Sequence, residues 1–327
     1  MLQRHIGGTT VSAIGLGCMN LSHAYGEPPP REAALRVIRR ALDLGVTHFD
    51  TAALYGFGAN EILVGEALKP HRSGVFLASK CGMTGVDGKR VIDGRPETLV
   101  RTCEDSLSRL QTDVIDLYYL HRWDKTVPIE DSVGALAGLV RAGKVRMIGL
   151  SEVSAATLRR AHAVHPIAAV QSEYSLWTRN PEIAVLRACR ELGVAFVAFS
   201  PLGRGALAGD LDPSSFSPRD IRTQMPRFQP PHWPRNAELM RAFAQAARER
   251  GCTRAQLALA WLLRQDPDLS VIPGTTSARH LEENAGAGAI ELSPQDLAWL
   301  DALISPAAVS GPRYNAATQA EIDTEDA

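Results

Sequence analysis

Short runs of aliphatic, β-branched and aromatic residues alternate along the chain with longer stretches whose apolar residues recur at steps of three and four. The short runs predict strands at 14–17, 47–50, 75–80, 115–120, 145–150, 168–171, 195–199 and 270–272, eight in all. The longer stretches predict helices at 31–44, 97–110, 129–142, 155–162, 181–192 and 236–250. In the first of these, Leu35, Ile38, Ala41 and Leu42 share one side, and Gly45 supplies a stop. Gly143, Gly193 and Gly251 directly follow their helical stretches, and Pro181 suits a first helical turn.

Repeated strand–helix units imply parallel strands joined by right-handed crossovers. The architecture this predicts is α/β, a closed (β/α)8 TIM barrel. An open doubly wound sheet is the rival, and it should carry a glycine-rich phosphate turn after its first strand. Here that strand ends in GLGCMN, which lacks the third glycine and does not lead at once into a helix. Gly7-Gly8 within residues 2–13 is a β-hairpin signal, and this N-terminal hairpin is placed at the bottom of the barrel. The Pro-, Ser-, Asp- and Arg-rich segment 203–234 is long enough for a functional loop. The polar tail from about Val309, with an extra C-terminal helix, is expected to be loosely held or to lie over the barrel mouth. One domain is expected to span 1–327.

Composition narrows the partners. Net charge is -1, hydrophobic residues make up 45% and charged residues 22%, and no Lys/Arg-rich run stands out. Neither a nucleic acid nor a membrane surface is indicated. Five cysteines occur without a CxxC pair, so no disulfide framework or zinc knuckle is expected. A reducing, cytoplasmic setting follows, with neither a signal peptide nor a membrane span in the sequence.

Barrel chemistry sits at the C-terminal ends of strands. The second strand ends at Asp50, with Tyr55 close behind; the third ends at Lys80; the fourth is followed by His121. Singly, each has a plain structural reading: a solvated lysine, a capping aspartate, a satisfied histidine, a packed tyrosine. Together, on adjacent strands of one rim, they form a proton donor beside an oxygen-binding site. A Lys80 ammonium would lower the pKa of Tyr55, Asp50 would hold Lys80, and His121 would donate to a carbonyl oxygen. No Ser-His-Asp or Cys-His signature is evident, and no metal-ligand spacing recurs. A hydride must therefore come from a cofactor. PGTTSARHLEEN, after the eighth strand, offers a phosphate-binding helix entry, where Arg279 and His280 could add positive charge.

Asp50, Tyr55, Lys80 and His121, in that order, resemble the catalytic tetrad of the aldo-keto reductases. FDTAALYG, LASKCG, DLYYLHR, VRMIGLSE, VQSEYSLW, FSPLGRG and IPGTT…LEEN extend the resemblance over nearly the whole chain. The order of QSEYSLW and SPLGRG is closer to the long-loop bacterial and plant-type enzymes. The resemblance implies NADPH-dependent reduction of aldehydes or ketones to alcohols, with Tyr55 as general acid. It implies a cofactor lying extended across the barrel mouth. Ser151 and Gln171 would hold the nicotinamide amide, and Phe199 would stack on its ring. Gly17, Cys18, Met19 and Asp50 would also belong to the cofactor site. Ser200, Pro201, Leu202 and Arg204 would line the pyrophosphate path. Gly274, Thr275, Thr276 and Ser277, with Arg279, Glu283 and Asn284, would hold the adenosine end. Met19, Tyr25, Tyr55, His121 and Trp123 would wall the substrate, with the loop that carries Phe228 and Trp233.

The sequence departs from the family pattern in two places. Glu152 stands where many relatives carry Asn, which puts one carboxamide contact in doubt. Thr275, Thr276, Ser277 and Ala278 stand where many carry Lys or Arg, which leaves Arg279 for the 2′-phosphate. The alternatives are a nicotinamide-nucleotide-sensing subunit with little turnover, and an aldolase with Lys80 as Schiff base. The expected partner is a small carbonyl compound, and the assembly a monomer or homo-oligomer.

Overall fold

The computed structural model describes residues 1–86 and 88–326, so Ala327, the last residue of the expected span, lies outside them. The chain opens on an antiparallel hairpin, β1 (Gln3–Ile6) and β2 (Thr9–Ser12). Its turn residues Gly7 and Gly8 take φ of 54° and 81°, as a tight hairpin turn requires. Next come β3 (Leu16–Gly17), β4 (His48–Asp50) and β5 (Phe76–Cys81), then a second antiparallel hairpin, β6 (Met83–Val86) and β7 (Lys89–Ile92). β8 (Ile115–Leu120), β9 (Val145–Ser151), β10 (Ala169–Glu173), β11 (Ala195–Phe199) and β12 (Leu269–Val271) follow.

The parallel strands form one eight-stranded sheet in the order β12-β11-β10-β9-β8-β5-β4-β3. Parallel bridges Ile14–Val271 and Gly17–Gly274 join its two edges and close the expected barrel. Gly15 N donates to Val271 O at 2.8 Å, and Val271 N to Ala13 O at 2.9 Å, across the seam.

Helices alternate with the strands. They include α1 (Arg31–Asp43), α2 (Ala59–Leu68), α3 (Pro96–Leu110), α4 (Ile129–Arg141), α5 (Ala155–Val164) and α6 (Val185–Leu192). The helix expected at 181–192 is broken. Asn180–Glu182 is a separate 3-10 turn, and Ala184 takes a non-helical φ of -149°. Glu182 is held there by Tyr174 Oη at 2.7 Å and Arg179 Nη2 at 2.9 Å. After β11 come α7 (His232–Glu249), α8 (Arg254–Leu263), α9 (Ala278–Ala285), α10 (Pro294–Leu303) and α11 (Ala316–Ala320). α8 is started by a capping box between Thr253 and Gln256, and Ala255 and Leu257 through Leu263 are all buried. It shows no amphipathic period because it has no wet face.

Strand alternation explains how the site is aimed. Along β5, Leu77 and Cys81 pack outward among the helices, whereas Phe76 and Ala78 face the barrel interior. One more step of that interior row brings Lys80 to the upper end. On β8 the interior row Leu117, Tyr119 continues to His121, and on β10 and β11 Ala169 leads to Gln171 and Val197 to Phe199. At the lower end, Ile6 and Val11 of the hairpin pack with Phe76, Leu117, Ala169 and Ala195 and stop the barrel.

The segment after Val309 is not loosely held; it takes the other place expected of it, over the barrel mouth, where Tyr314, Asn315 and Thr318 line a cavity. Arg313, Tyr314 and Ile322 are buried. Arg313 Nη2 donates to Glu152 Oε2 at 2.6 Å, and Val153 pairs with Asp323. Further polar contacts, such as Lys125 Nζ to Ile322 O at 2.8 Å and Ser154 Oγ to Asp323 Oδ2 at 3.0 Å, supply the anchoring that an apolar period would otherwise have advertised.

Candidate active site

A cavity of about 860 Å³ opens at the C-terminal ends of the barrel strands. Asp50, Tyr55 and His121 stand together at one part of its wall, with Lys80 fully buried behind them. Lys80 Nζ donates to Asp50 Oδ1, to the backbone oxygen of Thr51 at 2.8 Å and to Tyr55 Oη at 3.3 Å. The His121 ring meets the Tyr55 ring edge-on, with centroids 5.8 Å apart. The expected convergence of phenol, ammonium, carboxylate and imidazole is present.

The electrostatics differ from the expectation in one respect. Burial pushes the Tyr55 phenol above its ordinary 10, and the Lys80 ammonium only partly offsets this. Tyr55 is therefore a protonated phenol at neutral pH. Burial also works against the Lys80 charge, but Asp50 and Tyr55 outweigh it and hold Lys80 above 10.5. A charged lysine with three acceptors is unsuited to Schiff-base formation, which needs a free amine. His121 lies well below 6.5, through burial first and then the fields of Arg122, Lys80 and Arg90. Its ring is neutral, and its Nδ1 is buried without a partner among the described residues.

Most residues expected to touch cofactor or substrate line this cavity. Gly17, Met19, Tyr25, Ser151, Gln171 and Phe199 do so, followed along the wall by Ser200, Pro201, Leu202 and Arg204. Gly274, Thr275, Thr276, Glu283 and Asn284 lie at the far part. The long segment after β11 contributes Leu211, Ile221 and Met225, and pairs with the loop after β3 through Tyr25 and Asp220.

Some expected residues lie elsewhere. Cys18 is fully buried in the core, its thiol directed to Leu16 O. Ser277 caps α9, accepting from His280 N, and is not in the cavity wall. Arg279 has a side chain 78% exposed, and His280 lines the cavity in its stead. Trp123 faces away: its Nε1 donates to Val127 O at 2.9 Å and Arg160 covers its ring. Phe228 is buried between Trp177 and Trp233 in an aromatic stack, so neither it nor Trp233 walls the cavity. Arg204 lines the cavity but is already committed, with Nη2 2.7 Å from Glu173 Oε2 and 2.8 Å from Tyr314 Oη. Glu152, the departure noted in the sequence, turns out to be the tail's anchor: it binds Arg313 and accepts from Glu173 N at 2.8 Å.

Other cavity residues escaped the sequence reading. His23 stacks near Tyr55 at 6.3 Å between centroids, and burial lowers its pKa. Arg90 arrives on β7, and Tyr314, Asn315 and Thr318 arrive from the tail. Arg122 follows His121 on the rim. Arg90 had a usable signal, since Val86-Asp87-Gly88-Lys89 contains the Asp-Gly pair typical of a hairpin turn. His23 had none.

Among the described residues, no helix is long and apolar enough to cross a membrane, and no His/Cys/Asp/Glu group could hold a metal ion.

The sequence pattern of the aldo/keto reductase family matches residues 13–305. A probable aldo-keto reductase from Glycine max is 44% identical over 310 residues, covering 94% of this chain and 89% of its own. A glycerol dehydrogenase from Gluconobacter oxydans is similar in structure, with a TM-score of 0.85 and 29% identity, over 93% of this chain and 96% of that one. An aldo/keto reductase from Klebsiella pneumoniae, solved with NADP and acetate, has a TM-score of 0.73 and 29% identity, over 98% of each chain. The match over residues 13–305 and the Glycine max relative show that the chain belongs to the aldo/keto reductase family of oxidoreductases.

Proposed function

We propose that this protein reduces an aldehyde or ketone to the alcohol with NADPH, and that Tyr55 is the proton donor. The observation that carries the reading is the Lys80 ammonium, bonded to both the Asp50 carboxylate and the Tyr55 hydroxyl in the wall of the cavity. The cavity's residues suit a dinucleotide. The Oδ1 atoms of Asn20 and Asn284 are buried in its wall with no partner among the described residues, and so stand ready for donors on a ligand. Thr275 and Thr276 precede the N-terminus of α9, a favourable place for phosphate. The Klebsiella relative crystallised with NADP supports the choice of nucleotide.

When bound, the nicotinamide supplies hydride to the carbonyl carbon. The chain's residues handle the oxygen. His121, neutral, donates a hydrogen bond that orients the carbonyl. Tyr55 gives its proton to the oxygen as negative charge grows there, which yields the alcohol and a phenolate. Lys80 stands 3.3 Å from that phenolate and stabilises it until solvent restores the proton. Asp50 keeps Lys80 charged and aimed. Ser151 and the side-chain carbonyl of Gln171, both in the cavity wall, would hold the nicotinamide amide. Phe199 would cover its ring, and Ser200 to Leu202, also in the cavity wall, would hold the pyrophosphate. The five unpaired thiols fit a cytoplasmic setting.

The test is loss of nicotinamide absorbance when the protein is mixed with NADPH and a reactive aromatic aldehyde. Turnover should fall about a hundredfold or more in Tyr55→Phe, with NADPH binding retained. Tight NADPH binding without turnover in the wild type would favour a nucleotide sensor instead.

A further inference from the structure

We infer that the carbonyl substrate carries an anionic group, and that Arg122 selects it. The inference deepens the reductase reading above and takes the position of the reacting carbonyl from it.

Four guanidinium groups line the cavity: Arg90, Arg122, Arg204 and Arg222. Three are neutralised. Arg90 pairs with Glu321, Arg204 with Glu173 and Arg222 with Asp220. The cavity's carboxylates are matched in turn: Asp50 by Lys80, Asp210 by Arg254 and Glu283 by Arg279. Arg122 has no carboxylate partner among the described residues. Its Nη1 donates to His121 O at 2.6 Å and to Ser151 Oγ at 3.3 Å. Those two bonds fix the guanidinium and leave Nε and Nη2 without a partner among the described residues. An arginine presents those two nitrogens as one flat edge, spaced for two oxygens of a carboxylate or phosphate.

The place of this charge matters as much as its freedom. Arg122 is the residue after His121, and its second contact is Ser151 at the end of β9. The unpaired cation therefore stands beside the carbonyl position, away from the adenosine end at Asn284. It is half-buried, so solvent screens it less than a surface charge. It already weighs on the site, as one of the groups that hold His121 neutral. An anion on the substrate would cancel that excess charge and gain a bidentate, charge-assisted contact. Because the contact adjoins the reacting carbonyl, the anion must be carried on the same small molecule, as in an oxo acid or a formyl-bearing carboxylate.

The experiment compares kcat/KM for 4-carboxybenzaldehyde, its methyl ester and 4-formylphenyl phosphate, with NADPH, in the wild type, Arg122→Met and Arg122→Lys. Benzoate binding to the protein–NADP+ complex is measured alongside by calorimetry. The wild type should prefer an anionic aldehyde to the ester by about tenfold or more. That ratio should fall to about one in Arg122→Met and partly return in Arg122→Lys, and benzoate should bind about tenfold more weakly to Arg122→Met. Whether carboxylate or phosphate gives the larger ratio identifies the anion, and either result supports the inference. If no aldehyde is turned over but benzoate binding still depends on Arg122, the reductase reading fails and the anion site stands. Three results overturn the inference: a wild type that reduces the ester as well as both anions, a ratio indifferent to Arg122→Met, or benzoate binding that is absent or unaffected by the substitution.

Discussion

Gln171 and Lys80 hold the same carboxylate from opposite sides: Gln171 Nε2 donates to Asp50 Oδ2 at 2.8 Å while Lys80 Nζ faces Oδ1. The amide is thus part of the frame of the tetrad, and its oxygen is left for a cofactor. Gln171→Leu removes both roles. It leaves Asp50 with a buried, unpartnered oxygen, which costs about 1–3 kcal/mol of stability. NADPH affinity should fall about tenfold as well. Thermal melting and a fluorescence titration of NADPH read the two effects separately; a variant that loses neither places Gln171 outside the frame.

The Asp50–Lys80 pair is fully enclosed, so removing one partner strands the other. Lys80→Met should destabilise the fold by about 3–5 kcal/mol and lower turnover about a hundredfold or more. The double variant Asp50→Asn, Lys80→Met should recover much of the stability and none of the turnover, because the ammonium beside Tyr55 is still missing. Urea unfolding with parallel rate measurements checks this. Recovered turnover in the double variant would remove Lys80 from the chemistry.

His121 should not titrate across the neutral range. Burial and the neighbouring cations hold it well below 6.5, so its ring stays neutral through the neutral range. Nitrogen NMR of labelled histidine should show His121 unchanged over that interval. The reduction rate should lack an inflection near 6.5, and one that vanished with His121→Gln would contradict this assignment.

Glu173 makes an acid-stability prediction. Burial alone would raise its pKa, but Arg204, Arg313 and Arg227 outweigh burial and hold it at about 2, against an ordinary 4.5. A depressed native value means that the ionised form favours folding. The contribution is complete above about 4.5 and is lost as pH falls toward 2. The melting temperature should decline between pH 5 and 3 more steeply in the wild type than in Glu173→Gln. Parallel declines would show that other carboxylates govern acid unfolding.

Barrel and tetrad were legible because both follow from short-range pattern. A two-residue period places Lys80 and His121 at the top of interior rows, and composition marks those rows as buried. Misplaced residues were those whose direction depends on the next turn of chain. Trp123 lies two positions after His121, yet it turns to Val127 and out of the cavity. Arg279 and His280 adjoin on α9, and helical phase alone decides which lines the cavity. Least legible was the tail, which is docked by pairs such as Arg313–Glu152 that join residues 161 positions apart. No local period encodes a contact of that kind.

The hairpin that seats Ile6 and Val11 under the strands makes the barrel a cup with a floor. Above that floor the interior is filled by side chains such as Leu117, Tyr119 and Val197, so nothing passes through the barrel from below. A cup gives everything one doorway, already narrowed by the tail and by the segment after β11. Whatever enters last stands in the way of whatever entered first, so the queue at the door becomes part of the rate.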